Sequence, residues 1–236
     1  MNIKSILTAS AFPLLLSAQI ATAQTIDVKV TNLTQGIFFT PLLLSAHNAT
    51  THLFEAGQAA SSELQAMAEG GDIAGLVTAA TAVGAVNSEN PAAGLLAPSS
   101  ATMVSALDTG SNTHLSIVAM LLPTNDGFVG LNGWEIPQTA GTYRILLNGY
   151  DAGTEANDEK VIGDAGGAPG VLGIPANPGG NGGTGATGVT TTETNKTVHI
   201  HPGNLGDTDT SAGISDVDSR VHRWLNPVAE VIVTVK

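Results

Sequence analysis

The chain has 236 residues, 42% of them hydrophobic and only 12% charged, against about 25% charged in an average globular protein. The charge is one-sided, 20 Asp and Glu against 8 Lys and Arg for a net −12, and Cys is absent. This excludes a disulfide scaffold, thiolate catalysis and Cys-ligated zinc or iron–sulfur sites, and it argues against phosphate recognition by a basic face, so no nucleic-acid partner is expected.

Residues 1–23 carry Lys4, an apolar run from Ile6 to Leu16 interrupted by Pro13, and Ala21-Thr22-Ala23. That is the secretory signal pattern, and the run is too short to cross about 30 Å of hydrocarbon. The expectation is cleavage after Ala23 and a product that is secreted, extracellular or held in the cell envelope, with no transmembrane segment. Thr25–Asn32 alternates Ile26, Val28 and Val30 with polar residues, as a half-buried strand does. Residues 37–44 form an apolar run broken by Pro41, which predicts an edge strand or bulge. Residues 61–70 predict a helix capped by Ser61 or Ser62 and stopped by Gly70-Gly71, and Ala-rich residues 72–83 predict a second short one. Residues 101–107, His114–Leu122, Gly127–Glu135, 142–150 and 228–236 read as strands. Strands of this length and spacing, with little helix between them, predict an all-β fold, an antiparallel β-sandwich formed by one domain over residues 24–236. Gly and Pro dominate residues 163–188 without periodicity. This is a long surface loop, not a boundary, because the residues after it are too few for a separate core.

Candidate chemistry lies in three places. Asp126 precedes Gly127 at a loop-to-strand junction. Asp151 and Glu155, with Gly153 between them, form a tight acidic loop just past the strand ending at Tyr150. If those two strands are neighbours, the three carboxylates converge at one end of the sandwich. Like charges so close must protonate or share a cation, and Ca²⁺ is the natural oxygen-bound ion. Asn157, Asp158 and Glu159 would add ligands or negative potential; the alternative is that Asp, Asn and Gly here are ordinary turn residues. Asp108-Thr-Gly-Ser111 resembles an aspartic-protease loop, but Asp108 and Asp151 are too close in sequence to occupy two lobes. His199 and His201, at i and i+2 on one side of a strand, suit either zinc or a polar strand face. Asn32, Asn48 and Asn195 head N-x-T glycosylation patterns. No nucleophile–base motif stands out, so an enzyme is not expected.

Pro41, Ala46-His47, Phe54-Glu55-Ala-Gly57, Ala60-Ser61, Leu64-x-x-x-Ala68-Glu69-Gly-Gly71, His114-Leu-Ser116, Pro123-Thr-Asn-Asp126-Gly-Phe-Val-Gly130, Asp151-Ala-Gly-Thr154-Glu155 and His222-Arg-Trp224 follow one another in an order that resembles the spondin N-terminal (F-spondin) domain in its bacterial secreted form. The likeness spans roughly residues 26–236. It implies a C2-like antiparallel sandwich of about eight strands with one or two short helices, and a calcium ion at one end. The family's calcium carboxylates carry over to Asp126, Asp151 and Glu155, the last being Glu where the animal pattern has Asp. The animal domains also carry disulfides, which this chain lacks. The function so implied is a secreted calcium-binding adhesion module without catalytic activity, whose partner is an extracellular protein or glycan. A self-assembling matrix or surface-layer component, joined through the loop or an edge strand, is the main alternative, and a metal-dependent hydrolase using the histidines is a further one.

Overall fold

A computed structural model describes residues 23–163, 170–180, 182–209 and 211–236. The predicted signal segment lies outside the described residues, apart from Ala23. The described chain is mostly β, with ten strands and two helices in the order β1 (Thr25–Asn32), β2 (Phe38–Phe39), β3 (Leu43–His47), α1 (Ser62–Gly70), α2 (Ala74–Ala82), β4 (Val86–Glu89), β5 (Ala101–Asp108), β6 (His114–Leu122), β7 (Gly127–Glu135), β8 (Gly141–Asp151), β9 (His199–Ile200) and β10 (Ala229–Val235).

Strand pairing runs β4-β3-β6-β7-β8-β10-β1-β5 along eight strands, with the two-residue strands β2 and β9 added beside β6 and β8. Every strand ladder is antiparallel. The fold turns on β8. Its residues Leu147 to Gly141 pair with β10, while Asn148 to Asp151 pair with β7. One continuous strand therefore belongs to both layers, which pack as a sandwich, and the outer strands β4 and β5 approach each other so that the sheet nearly closes.

The sequence periods follow from this layering. In β1, Ile26, Val28 and Val30 are buried and register with Val235, Val233 and Val231 of β10. They meet Leu115, Ile117, Ala119 and Leu121 of β6 in the main core. Burying each such side chain contributes about 1.5–3 kcal/mol. Strand β6 has no alternation because both of its faces are covered. Val118, Met120 and Leu122 point the other way, where Leu64, Met67 and Ala68 of α1 and Leu76 and Ala80 of α2 pack on them. Helix α1 begins where Ser61 Oγ accepts the Leu64 N–H (3.1 Å). It ends at Gly71, which has φ 73° and donates its N–H to Met67 O (2.9 Å). A Cβ at Gly71 would come within 2.9 Å of Thr40, so both conformation and space demand glycine there.

The apolar run over residues 37–44 departs from its expectation. Pro41 separates β2 from β3, and β3 is an interior strand between β4 and β6. Pro41 falls between ladders, so its missing N–H costs the sheet nothing. The polar strand β4, Val-Asn-Ser-Glu, carries no alternation and was not expected.

Candidate metal centre

Register brings the first two carboxylates together. Gly127 of β7 pairs with Asp151 of β8, so Asp126, one residue earlier, sits beside Asp151 at the end of the ladder. The turn before Gly127 is closed by Thr124, whose hydroxyl accepts the Gly127 N–H (3.0 Å) and donates to Leu121 O (2.6 Å). A Cβ at Gly127 would lie 2.6 Å from that hydroxyl. Asp126 Oδ2 accepts the N–H groups of Thr154 (2.7 Å) and Glu155 (3.1 Å) and the Thr154 hydroxyl (3.1 Å). These bonds fold residues 151–155 back over Asp126. Asp151 accepts from Gly153 N–H (2.8 Å) and Asn157 Nδ2 (2.7 Å).

Glu155 lies against the same turn. Its Oε2 accepts from Asn125 Nδ2 (3.1 Å) and the Gly173 N–H (3.0 Å). Asn125 also donates to Asp158 Oδ1 (2.9 Å) and accepts the Glu159 N–H (3.0 Å), so one amide fixes three acidic residues. Glu159 itself is turned away, toward the N–H groups of Leu205 and Gly206 (2.8 Å for Gly206) and the Ser215 hydroxyl (2.6 Å). Asp158 pairs with Lys160 (3.1 Å).

The carboxylates of Asp126, Asp151 and Glu155 are 0%, 0% and 2% exposed. Among the described residues the Lys and Arg ion pairs run elsewhere, to Glu230, Asp158, Asp218 and Asp27. Burial, reinforced by the neighbouring Asp151 charge, pushes Asp126 up to about 7. Burial raises Asp151 as well, and it pushes Glu155 up to about 8. Among the described residues, two oxygens of this group, Asp126 Oδ1 and Glu155 Oε1, are buried with no hydrogen-bond partner. A buried carboxylate oxygen left unpaired is costly, and a hard cation satisfies it. Among the described residues no three His, Asp or Glu side chains close into a metal-holding group. The two open oxygens are hard donors of the kind calcium takes, and an ion on them would draw the rest of its shell from carbonyls, amides and water.

The histidines do not make a zinc pair. His199 Nδ1 donates to Thr197 O (2.7 Å) and lies 3.8 Å from Asp151 Oδ1. His201 Nδ1 accepts the Gly203 N–H (2.9 Å), so its proton sits on Nε2 and neither nitrogen has a lone pair to offer. Burial lowers His201 to about 3. Asp108 closes an Asx turn with Gly110 (2.9 Å) at the end of β5, three places from β8 in the sheet order. Of the glycosylation patterns, Asn32 is fully buried and binds Ile37 O (2.7 Å), while Asn48 and Asn195 lie in loops.

A second acidic group was not expected as a unit. Asp207, Asp209, Asp216 and Asp218 line a cavity of about 240 Å³ with Asn177 and His222. Asp207 Oδ2 accepts the Ile214 (2.8 Å) and Ser215 (3.0 Å) N–H groups. Asp216 accepts from Val161 N–H (2.8 Å) and from Thr184 N–H (2.7 Å).

The family model described as Spondin_N matches residues 31–159, more than half of the chain. No curated protein matches it. The matched span is narrower than the sequence likeness: it contains Asp126, Asp151 and Glu155 and leaves residues 160–236 outside.

Proposed function

Because this chain belongs to the spondin N-terminal domain family, we propose that it is a secreted, calcium-stabilised binding module of the extracellular space or cell envelope, acting in adhesion through an extracellular protein or glycan. The observation that carries the calcium reading is the pair of buried, unpartnered oxygens, Asp126 Oδ1 and Glu155 Oε1. Asp126, Asp151 and Glu155 would supply the carboxylates. A bound cation offsets their repulsion and ties the turn before β7 to the loop after β8. Family membership and the secretory pattern of residues 1–23 support the extracellular setting. Among the described residues no helix is long and apolar enough to cross a membrane.

The test is thermal unfolding of the protein in calcium and in chelator. A ligand at a hundred times its Kd stabilises by about 2.7 kcal/mol, which for a domain of this size raises Tm by roughly 5–10 °C. Asp151→Ala should remove that response. An unchanged Tm in wild type defeats the calcium reading. Self-assembly through an edge finds less support, since β4 and β5 approach each other and β5 is bent by Ala106 at φ 54°, features that blunt strand edges.

A further inference from the structure

Residues 170–174 cross two buried carboxylates. The Gly170 N–H donates to Glu69 Oε2 (2.9 Å) and the Gly173 N–H to Glu155 Oε2 (3.0 Å). Glu69, at the end of α1, is 1% exposed, and its other oxygen accepts from Gln65 Nε2 (2.8 Å). The segment is also fastened from below. Ile174 is fully buried with Val161 and Val217, donates its N–H to Lys160 O (2.8 Å), and accepts the Ile162 N–H (3.0 Å). Gly173 has φ +112°, and a Cβ there would meet Ile162 Cγ2 at 2.8 Å. Val171 and Leu172 between the hooks are 38% and 66% exposed, so from Gly170 to Gly173 the segment is held by the two carboxylate–amide bonds, and Ile174 anchors its far end.

We propose that residues 170–174 are a strap over the carboxylate site, hooked at Glu69 and Glu155, and that strap and cation hold each other in place through the two oxygens of Glu155. The inference rests on the calcium reading above. Oε2 is occupied by the Asn125 and Gly173 donors, which leaves the buried Oε1 as the free face of the carboxylate. A cation on Oε1 fixes the orientation of the Glu155 carboxylate and so holds Oε2 where the Gly173 N–H reaches it. Linkage requires the converse: a docked strap, by fixing Glu155, tightens cation binding by the same factor.

The experiment is amide exchange of the full chain, followed at Gly170, Gly173 and Ile174, with calcium and with chelator, beside calcium titrations. Calcium should slow exchange at Gly173 at least about fivefold, within the usual range of coupling between sites. Glu69→Ala removes one hook without touching a proposed ligand. It should speed exchange at Gly170 and Gly173 and weaken calcium binding several-fold, whereas Glu69→Gln, which loses the same charge but keeps an acceptor for Gly170, should weaken it less and leave exchange at Gly173 near wild type. If Glu69→Ala fails to fold, the wild-type comparison and Glu69→Gln still decide. Equal exchange at Gly173 in both conditions, in a protein whose Tm calcium raises, overturns the strap and leaves the calcium reading standing. A Tm that calcium leaves unmoved overturns both.

Discussion

The two acidic regions of this molecule solve the same problem in opposite ways. Asp207, Asp216 and Asp218 sit in a C-terminal segment with little regular structure, and each carboxylate accepts backbone N–H groups that a helix or ladder would otherwise satisfy. Backbone hydrogen bonds hold Asp207 below the ordinary carboxylate range, and the Arg220 guanidinium holds Asp218 at about 2. Asp126, Asp151 and Glu155 lie deeper, keep two oxygens unpartnered, and are displaced upward instead. Acidic composition therefore says little about cation binding. What separates the two groups is that both oxygens of Asp207, Asp216 and Asp218 have donors, whereas Asp126 Oδ1 and Glu155 Oε1 have none among the described residues.

The largest expected contrast comes from neutralising one carboxylate in each region. Asp126→Asn removes a buried charge, so in chelator the variant should be at least as stable as wild type, while its calcium response disappears. Asp207→Asn should do the reverse, keeping the full calcium shift in Tm. An Asp126→Asn protein that still responds to calcium breaks the comparison.

Titration gives the next effect. A carboxylate whose folded pKa is raised keeps its proton where the unfolded chain has lost it, so its stabilising contribution is present at low pH and falls as pH rises through the folded value. In chelator the protein should lose stability as pH rises from about 4.5 to 8, by up to about 1.4 kcal/mol per pH unit for each proton that folded Asp126 or Glu155 keeps after the unfolded chain has lost it. Saturating calcium should flatten that slope. Urea unfolding at pH 6.5, 7.2 and 8 measures it, and equal slopes with and without calcium count against the site.

Below pH 6.5 buried histidines oppose that trend. His47, 1% exposed, donates from Nδ1 to Asn48 O (2.8 Å) and accepts the Ser116 hydroxyl on Nε2 (2.7 Å). Burial lowers its pKa, so the unfolded chain binds the proton first and stability falls as pH drops below about 6.5. His47→Gln should make that acid limb shallower; an unaltered limb shows that other groups carry it. The smallest effect is expected in the second acidic region itself: Asp207→Asn weakens its hydrogen bonds to the Ile214 and Ser215 amides and should lower the urea midpoint slightly.

The legible parts of the sequence were those where one local cause dominates. Ile26, Val28 and Val30 alternate because β1 has one buried face, and Ser61 and Gly71 bracket α1 by capping chemistry. Strand β6 was legible as an apolar run, but not its reason, since coverage by α1 and α2 on its second face is a tertiary fact. Strand β4 was hidden because an edge strand with polar residues shows no period. At the site, Asp126, Asp151 and Glu155 could be singled out from turn residues and an ordered likeness. Asn125 as their shared anchor, Glu69 as a neighbour, and the amides of Gly170 and Gly173 could not. Glu69 and Gly170 are 101 positions apart in sequence, and a backbone N–H donor carries no side-chain signature.

Strand β8 has a further consequence. It starts at Gly141, which pairs with Val235, and ends at Asp151 beside the carboxylates. At its starting end lie Lys236, whose N–H donates to Thr25 O (3.0 Å), and Gln24, whose side chain donates to Pro137 O (2.8 Å). The first and last strands thus enter and leave the sandwich side by side, an 11-residue strand, or about 35 Å, from the carboxylate site. A tether, fusion partner or surface attached at residue 24 or residue 236 would therefore present that site outward at full standoff, with the whole sandwich as its spacer.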